Sequence, residues 1–154
     1  MSTTKKQSTN LDEWIDSAER TTRAVPIYGK AGLVADLDQI EHQLKICVES
    51  ERAGLQEQWD KIAAEIQDSK QIFKVQGCTK AEFEAVRTES VLNGDSVELQ
   101  TAKTMALSIL EPKITADQLL KLQDKVGEGQ IAPLMLAIAE ASRQAIKVDD
   151  LLPS

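Results

Sequence analysis

The side chains able to do chemistry are few and scattered. His42 is the only histidine among 154 residues, and the cysteines are Cys47 and Cys78. Glu41 precedes His42, but adjacent residues do not face one another on a helix. No second histidine or suitable cysteine neighbour completes a metal-ligand set, so His42 reads as a surface residue. Cys47 falls on an apolar helical stripe and reads as a small buried hydrophobe. Cys78, in Gly77-Cys78-Thr79, reads as an exposed turn thiol without a base. Tyr28-Gly29-Lys30-Ala31-Gly32 lacks the spacing and the hydroxyl of a phosphate loop. Gly127-Glu128-Gly129 lacks the strand and third glycine of a dinucleotide fingerprint. Asp36/Asp38 and Asp149-Asp150 are pairs that any chain this acidic carries, and nothing sets two carboxylates around a pocket. These residues specify no catalytic, cofactor or metal site, and the expectation is a protein that is not an enzyme.

The totals narrow the class further. Apolar residues make up 42 % and charged residues 28 %, with a formal net charge of −7. Only five side chains are aromatic, so aliphatic residues must supply most of any core. The negative balance argues against a nucleic-acid partner or an anionic membrane, either of which wants a basic face. No run approaches the roughly 18 apolar residues of a membrane span. Met1–Asn10 has lysines but no apolar stretch after them, so it does not read as a secretory signal. Two cysteines are too few for a disulfide framework.

The elements that position these residues are helical. Leu33, Leu37, Ile40, Leu44 and Cys47 keep one face of a helix apolar, and so do Leu55, Trp59, Ile62 and Ile66. The two series do not share a register. The slip falls at Glu51-Arg52-Ala53-Gly54, where glycine can end a helix. Residues 33–70 are therefore one helix with a defect or a hairpin of about 33–52 and 55–70. Extended runs flank this stretch, 23–28 (Arg23 to Tyr28, with Pro26) and 71–76 (Gln71 to Gln76). A continuous helix would be about 57 Å long and would hold those runs apart, each with unpaired backbone. A hairpin lets them pair as a two-stranded antiparallel ribbon, with the Pro26 run at an edge.

Around this unit, 1–9 read as a disordered tail. Asn10 caps a short helix whose face is Leu11, Trp14, Ile15 and Ala18, ended by Thr21 and Thr22. After Gly77, capping boxes at Thr79/Glu82, Asp95/Glu98 and Thr115/Gln118 open three helices. The second of these carries Leu99, Ala102, Met105, Ala106 and Ile109 inward and runs to Pro112. A fourth helix spans about Ile131 to Lys147, with Pro133 near its first turn and Ile131, Leu134, Met135, Ile138, Ser142 and Ala145 on one side. Leu134 and Met135 read as core sooner than as a groove. The expected fold is mainly α. A hairpin with its ribbon occupies 10–77, a C-terminal bundle of about four helices occupies 78–147, and 148–154 form a flexible tail. The surplus of aliphatic helix faces on a small acidic protein suits binding to other helices.

The order of features resembles the tail assembly chaperones of long-tailed phages of actinobacteria. The resemblance lies in Leu11-Asp12-Glu13-Trp14-Ile15, Arg23-Ala24-Val25-Pro26-Ile27-Tyr28-Gly29 and Leu33-Val34-Ala35-Asp36-Leu37. It continues in Ser69 to Val75 with Lys80-Ala81-Glu82-Phe83, then Leu110 to Leu119, Val126 to Gln130 and the following helix to Asp149. It covers most of 11–150 and rests on apolar patterns and turns. The chain departs at Phe83, where many members carry tryptophan, and in Leu151-Leu152-Pro153-Ser154. The resemblance implies a protein of the infected host's cytoplasm, absent from the mature virion. Such a protein binds the helical tape-measure protein and keeps it soluble until the tail tube forms around it. It implies a longer frameshifted form that reaches the tail-tube subunit, and self-association into a ring or spiral would let many weak contacts along one client add up. Alternatives are a structural virion protein (a head–tail connector or minor tail protein) and a host-directed helical adaptor. The partner surface is expected among exposed apolar residues near Trp14, Val25, Ile27 and Leu37, although the same residues would serve equally to pack the hairpin on the ribbon.

Overall fold

The computed structural model describes residues 10–143. The tails assigned to 1–9 and 148–154, and the last helical turn at 144–147 with Ala145, lie outside it. The elements in order are α1 (Leu11–Ser17), β1 (Thr22–Tyr28), a 3-10 turn (Ala31–Leu33), α2 (Val34–Ile46), α3 (Glu49–Asp68) and β2 (Lys70–Gln76). Then come α4 (Lys80–Asn93), α5 (Val97–Ser108), β3 (Ile109–Glu111), α6 (Ala116–Val126) and α7 (Glu128–Arg143). The chain is mainly helical with a small antiparallel sheet.

The ribbon forms in the register that a hairpin requires: Val25 faces Phe73 and Tyr28 faces Lys70. β1 is an edge strand, and the position of Pro26 shows why proline is tolerated there. Alternate residues of a strand aim their backbone groups the same way. Tyr28, two residues on, presents its N–H and C=O to the side-chain amide of Gln130 at 2.7 and 2.8 Å. The nitrogen of Pro26 therefore faces the open edge, where no ladder bond is lost. Gln130 stands in for a further strand at that edge.

Two strands become three. β3 pairs with the other side of β2, Ile109 against Val75, giving the order β1-β2-β3. The helix expected to run to Pro112 stops at Ser108. Ile109 keeps the inward direction its helical spacing implied, but reaches it from an extended backbone. The reason is tertiary: β2 carries fully buried Val75 and sits centrally, so its second edge needs a partner that only a distant segment supplies.

The hairpin is present, but it turns at Cys47-Val48 and not at Arg52-Ala53-Gly54. Both residues at the corner are extended, with ψ of 160° and 158°. Gly54 lies inside α3 in open space, a position that weakens a helix by about 1 kcal/mol without ending it. The corner is held by Arg52, whose guanidinium donates to the Leu44 carbonyl at 3.1 Å. Glu49 and Glu51 in the first turn of α3 complement its N-terminal dipole. That pair of acids was the overlooked start signal.

Two smaller expectations shift. Ser96, not Asp95, caps α5, accepting from the Leu99 N–H. The Asp95 carboxylate instead meets Lys103 at 2.6 Å. α7 begins at Glu128, three residues early, so Pro133 lies beyond the first turn. The Gly129 carbonyl that Pro133 cannot bond belongs to an exposed residue and is open to water.

α7 covers the inner face of the sheet, running against β1, with Gln130 at the Tyr28 end and Ala141 beside Gly77 at the other. Val25, Ile27, Phe73 and Val75 from the ribbon form one core with Ile109, Leu119, Ile131, Leu134 and Ile138. The parts assigned to 10–77 and 78–147 thus share a core. α2 and α3 pack on each other beyond the Tyr28–Lys70 end of the ribbon.

The Asp95–Lys103 pair gives a pH prediction. The hydrogen bond from Lys103 holds the Asp95 carboxyl below its usual value, and the bond to Asp95 raises Lys103. Because Asp95 is depressed on folding, its stabilisation is full above the unfolded value of about 3.9 and is lost as pH falls through the lower folded value. Lys103 contributes fully below about 10.4 and loses its contribution as pH rises through its raised value. The melting-temperature gap between wild type and Asp95→Asn is therefore widest at intermediate pH and closes at both extremes. A gap independent of pH would reject the pairing.

Candidate functional site

The chemistry-bearing residues do not converge. His42 is exposed on α2, whereas Cys78 lies at the corner between β2 and α4. Among the described residues no group of three or more His, Cys, Asp or Glu could hold a metal. Cys47 and Cys78 are both free and half-buried, so Cys78 is less open than its turn implied. Burial pushes the Cys78 thiol up, and the Glu82 carboxylate pushes it further. Ser108, Arg20 and the Phe83 backbone pull less strongly the other way. A raised thiol stays protonated near neutrality and is a poor nucleophile.

The glycine-rich turns have structural uses. The Gly29 N–H donates to the Ser69 carbonyl and the Lys30 N–H to Ser69 Oγ, tying the ribbon to the foot of α3. Gly127, at φ 88°, ends α6 with its N–H on the Gln123 carbonyl.

The four residues named for partner binding do not form one surface. Val25 and Ile27 are buried in the sheet–α7 core, which corrects their placement among exposed residues. An inward strand position beneath a covering helix leaves nothing to offer a partner. Leu37 is half-buried on α2, whose stripe faces α3. Trp14 alone is exposed, at 58 %, on α1 with Leu11 and Ile15.

Beyond α1, apolar side chains stay open at the hairpin corner, on Ile46 and Val48, and around grooves on the C-terminal helices. α4, α5 and α7 diverge around a groove of about 790 Å³, with Phe83 from α4, Thr101 from α5, Met135 and Ile138 from α7, and Cys78 and Ser142 at one end. That end is tightly built: the Cys78 N–H donates to Ser142 Oγ at 2.8 Å, and Ser142 donates to the Ile138 carbonyl at 2.7 Å. A second groove, of about 660 Å³, runs between α5, α6 and α7 over Leu120, Ile131 and Ala132. The two share Val97, Thr101, Met105 and Met135, so they flank one apolar ridge. Their charges differ. The charged residues of the first are Lys80 and Arg143, while those of the second are Glu98, Asp124 and Glu128.

Phe83, Met135 and Val97 are 46 %, 46 % and 81 % exposed. Met135 parts from its neighbour Leu134, which is fully buried. Phe83 falls at helical spacing from buried Val86 and Ser90 yet stays open itself. The available signal was Val97 directly after the Ser96 cap, an aliphatic residue where a helix start is normally polar or solvated. Grooves with apolar floors and few polar groups suit a helix laid side-on.

Among the described residues no helix is long and apolar enough to cross a membrane. The chain matches no family model, no curated protein and no solved structure.

Proposed function

We propose that this chain is a phage tail assembly chaperone that holds the helical tape-measure protein in solution while the tail tube polymerises around it. In this reading it does no chemistry, works in the cytoplasm of the infected bacterium and is left out of the finished virion. It reaches the tail-tube subunit through a longer frameshifted form. The resemblance in Leu11 to Ile15, Arg23 to Gly29 and Leu110 to Leu119 supports the family. The observation that carries the activity is the ridge of Val97 and Met135 between two open apolar grooves. A long helical client exposes apolar faces that aggregate before assembly. A groove lined by Met and aliphatic side chains can cover such faces with little demand on their sequence. The net charge of −7 keeps the covered client in solution.

Co-expression tests this directly. The tape-measure protein should become soluble and co-purify with the wild-type chain. Met135→Glu places a charge in both grooves at a half-exposed position, so the fold survives. Losing the burial of one such side chain, about 1.5 kcal/mol, weakens client binding roughly tenfold. A client equally insoluble with and without the chaperone sinks the proposal. The structural-protein reading is favoured instead if mass spectrometry finds the chain in purified virions.

A further inference from the structure

α1 has no reason to be a helix on its own. It is seven residues long, and none of them is buried. Isolated helices shorter than about 12 residues are marginal in water and are held by packing of an apolar face. α1 has such a face, Leu11, Trp14 and Ile15 at spacings of three and one, but it is exposed to solvent. Its other face is acidic, with Asp12, Glu13 and Asp16.

The molecule carries an apolar groove of opposite sign. Of the two grooves, the one between α4, α5 and α7 has Lys80 and Arg143 as its charged residues, in a chain whose total charge is −7. Among the described residues neither cation is ion-paired. The other groove carries three acids and would repel an acidic helix.

The owner of the groove is poorly placed to fill it. Arg20 donates to the Gly77 carbonyl and meets Glu82 of α4 at 2.7 Å. This pins the chain just after α1 at the edge of the groove. Only Ala18 and Glu19 remain to reverse the chain between Ser17 and that pin, and neither favours a turn. Ala18 is extended, with ψ at 143°. The α1 of another molecule is under no such constraint.

We infer that α1 of one copy docks in the groove between α4, α5 and α7 of a second copy, linking chains head to tail. Leu11, Trp14 and Ile15 enter over Phe83 and Met135, and the acids of α1 meet Lys80 and Arg143. Donor and acceptor surfaces differ, so each added copy exposes a fresh groove, and assembly continues to a ring or a spiral. This goes beyond client binding, for which the acid-rimmed groove between α5, α6 and α7 stays open.

The test uses the full chain and two variants. Trp14→Glu spoils the donor. Phe83→Glu spoils the acceptor, and Phe83 lines this groove and not the acid-rimmed one. Both positions are about half-exposed, and circular dichroism verifies that each variant folds. Size-exclusion chromatography with light scattering reads the mass. Wild type should grow beyond a dimer as concentration rises, and salt should reduce that growth. Each variant alone should be a monomer. An equimolar mixture should form a dimer and stop there, because one intact donor and one intact groove remain. Wild type monomeric at all concentrations, an oligomer that survives both changes, or a mixture that stays monomeric would each overturn the inference. Client solubility is scored separately: Phe83→Glu should retain it while losing self-association. An inert client beside an intact oligomer indicts the chaperone reading alone.

Discussion

Replacing Leu134 with alanine should cost about 3 to 4 kcal/mol of folding free energy, in the range for a large-to-small change at a fully enclosed site. Leu134 has no exposed surface and lies on α7 within the cluster that joins the sheet to α5 and α6. The cavity cannot collapse cheaply. The helix above it is tied at one end by Gln130 on the Tyr28 backbone and at the other by Ser142 on Cys78. Urea denaturation should show the midpoint falling with an unchanged slope, since the same surface is exposed on unfolding. Met135→Ala, one residue on, should cost less than about 1 kcal/mol, because that side chain already faces water. Equal losses at the two positions would mean that α7 is rotated from the orientation described.

Gly77→Ala should cost about 2 to 3 kcal/mol, a large effect for one methyl group. A Cβ at this position would lie 2.7 Å from the Ala141 carbonyl oxygen and 3.0 Å from the Ser142 Cα. Both obstacles are backbone and cannot swing aside like a side chain. The corner has no slack, because the Gly77 N–H donates to the Thr21 carbonyl and its own carbonyl accepts from Arg20. Overpacking of this kind forces elements apart, here α7 from the end of β2. A thermal melt should show a fall of roughly 4 to 12 °C, given about 2 to 4 °C per kcal/mol for a domain of this size. A melting temperature within a degree or two of wild type would contradict the close approach of α7 to Gly77. The same displacement would open the end of the groove at Cys78, so the variant should also self-associate more weakly.

Much of the local structure was legible in the residues. Asn10 caps α1 as read, and Thr79/Glu82 and Thr115/Gln118 form complete capping boxes. Asn93-Gly94 ends α4, with Gly94 left-handed at φ 70°. The pairing of 23–28 with 71–76 followed from asking where their backbone groups could go, and the register agrees. Failures came where the deciding partner lay far along the chain. Ile109 to Glu111 reads as helix locally and becomes a strand because β2 has a free edge. Asp95 reads as a cap and is taken by Lys103. The turn falls at Cys47-Val48 and not at Gly54 because an exposed helical glycine costs too little to force a break, while Glu49 and Glu51 favour a helix start.

The candidate site was the least legible part, for a related reason. Periodicity distinguishes the apolar side of a helix from its polar side, but it does not say whether a neighbour arrives to cover that side. Leu134 and Met135 are adjacent and equally apolar, and only the packing of α7 on the sheet buries one and opens the other. Val25 and Ile27 alternate as strand residues should. Which face of their strand would be buried was settled by α7, more than a hundred residues later. By itself, the sequence determined helical class, most of the caps, ribbon pairing and acidic charge, because each depends on neighbours a few residues away, on where backbone groups can pair, or on the total composition. Tertiary structure alone decided the third strand, the hairpin corner and the pair of grooves beside Met135. Those depend on which surfaces meet and which are left over when all the elements compete for one core.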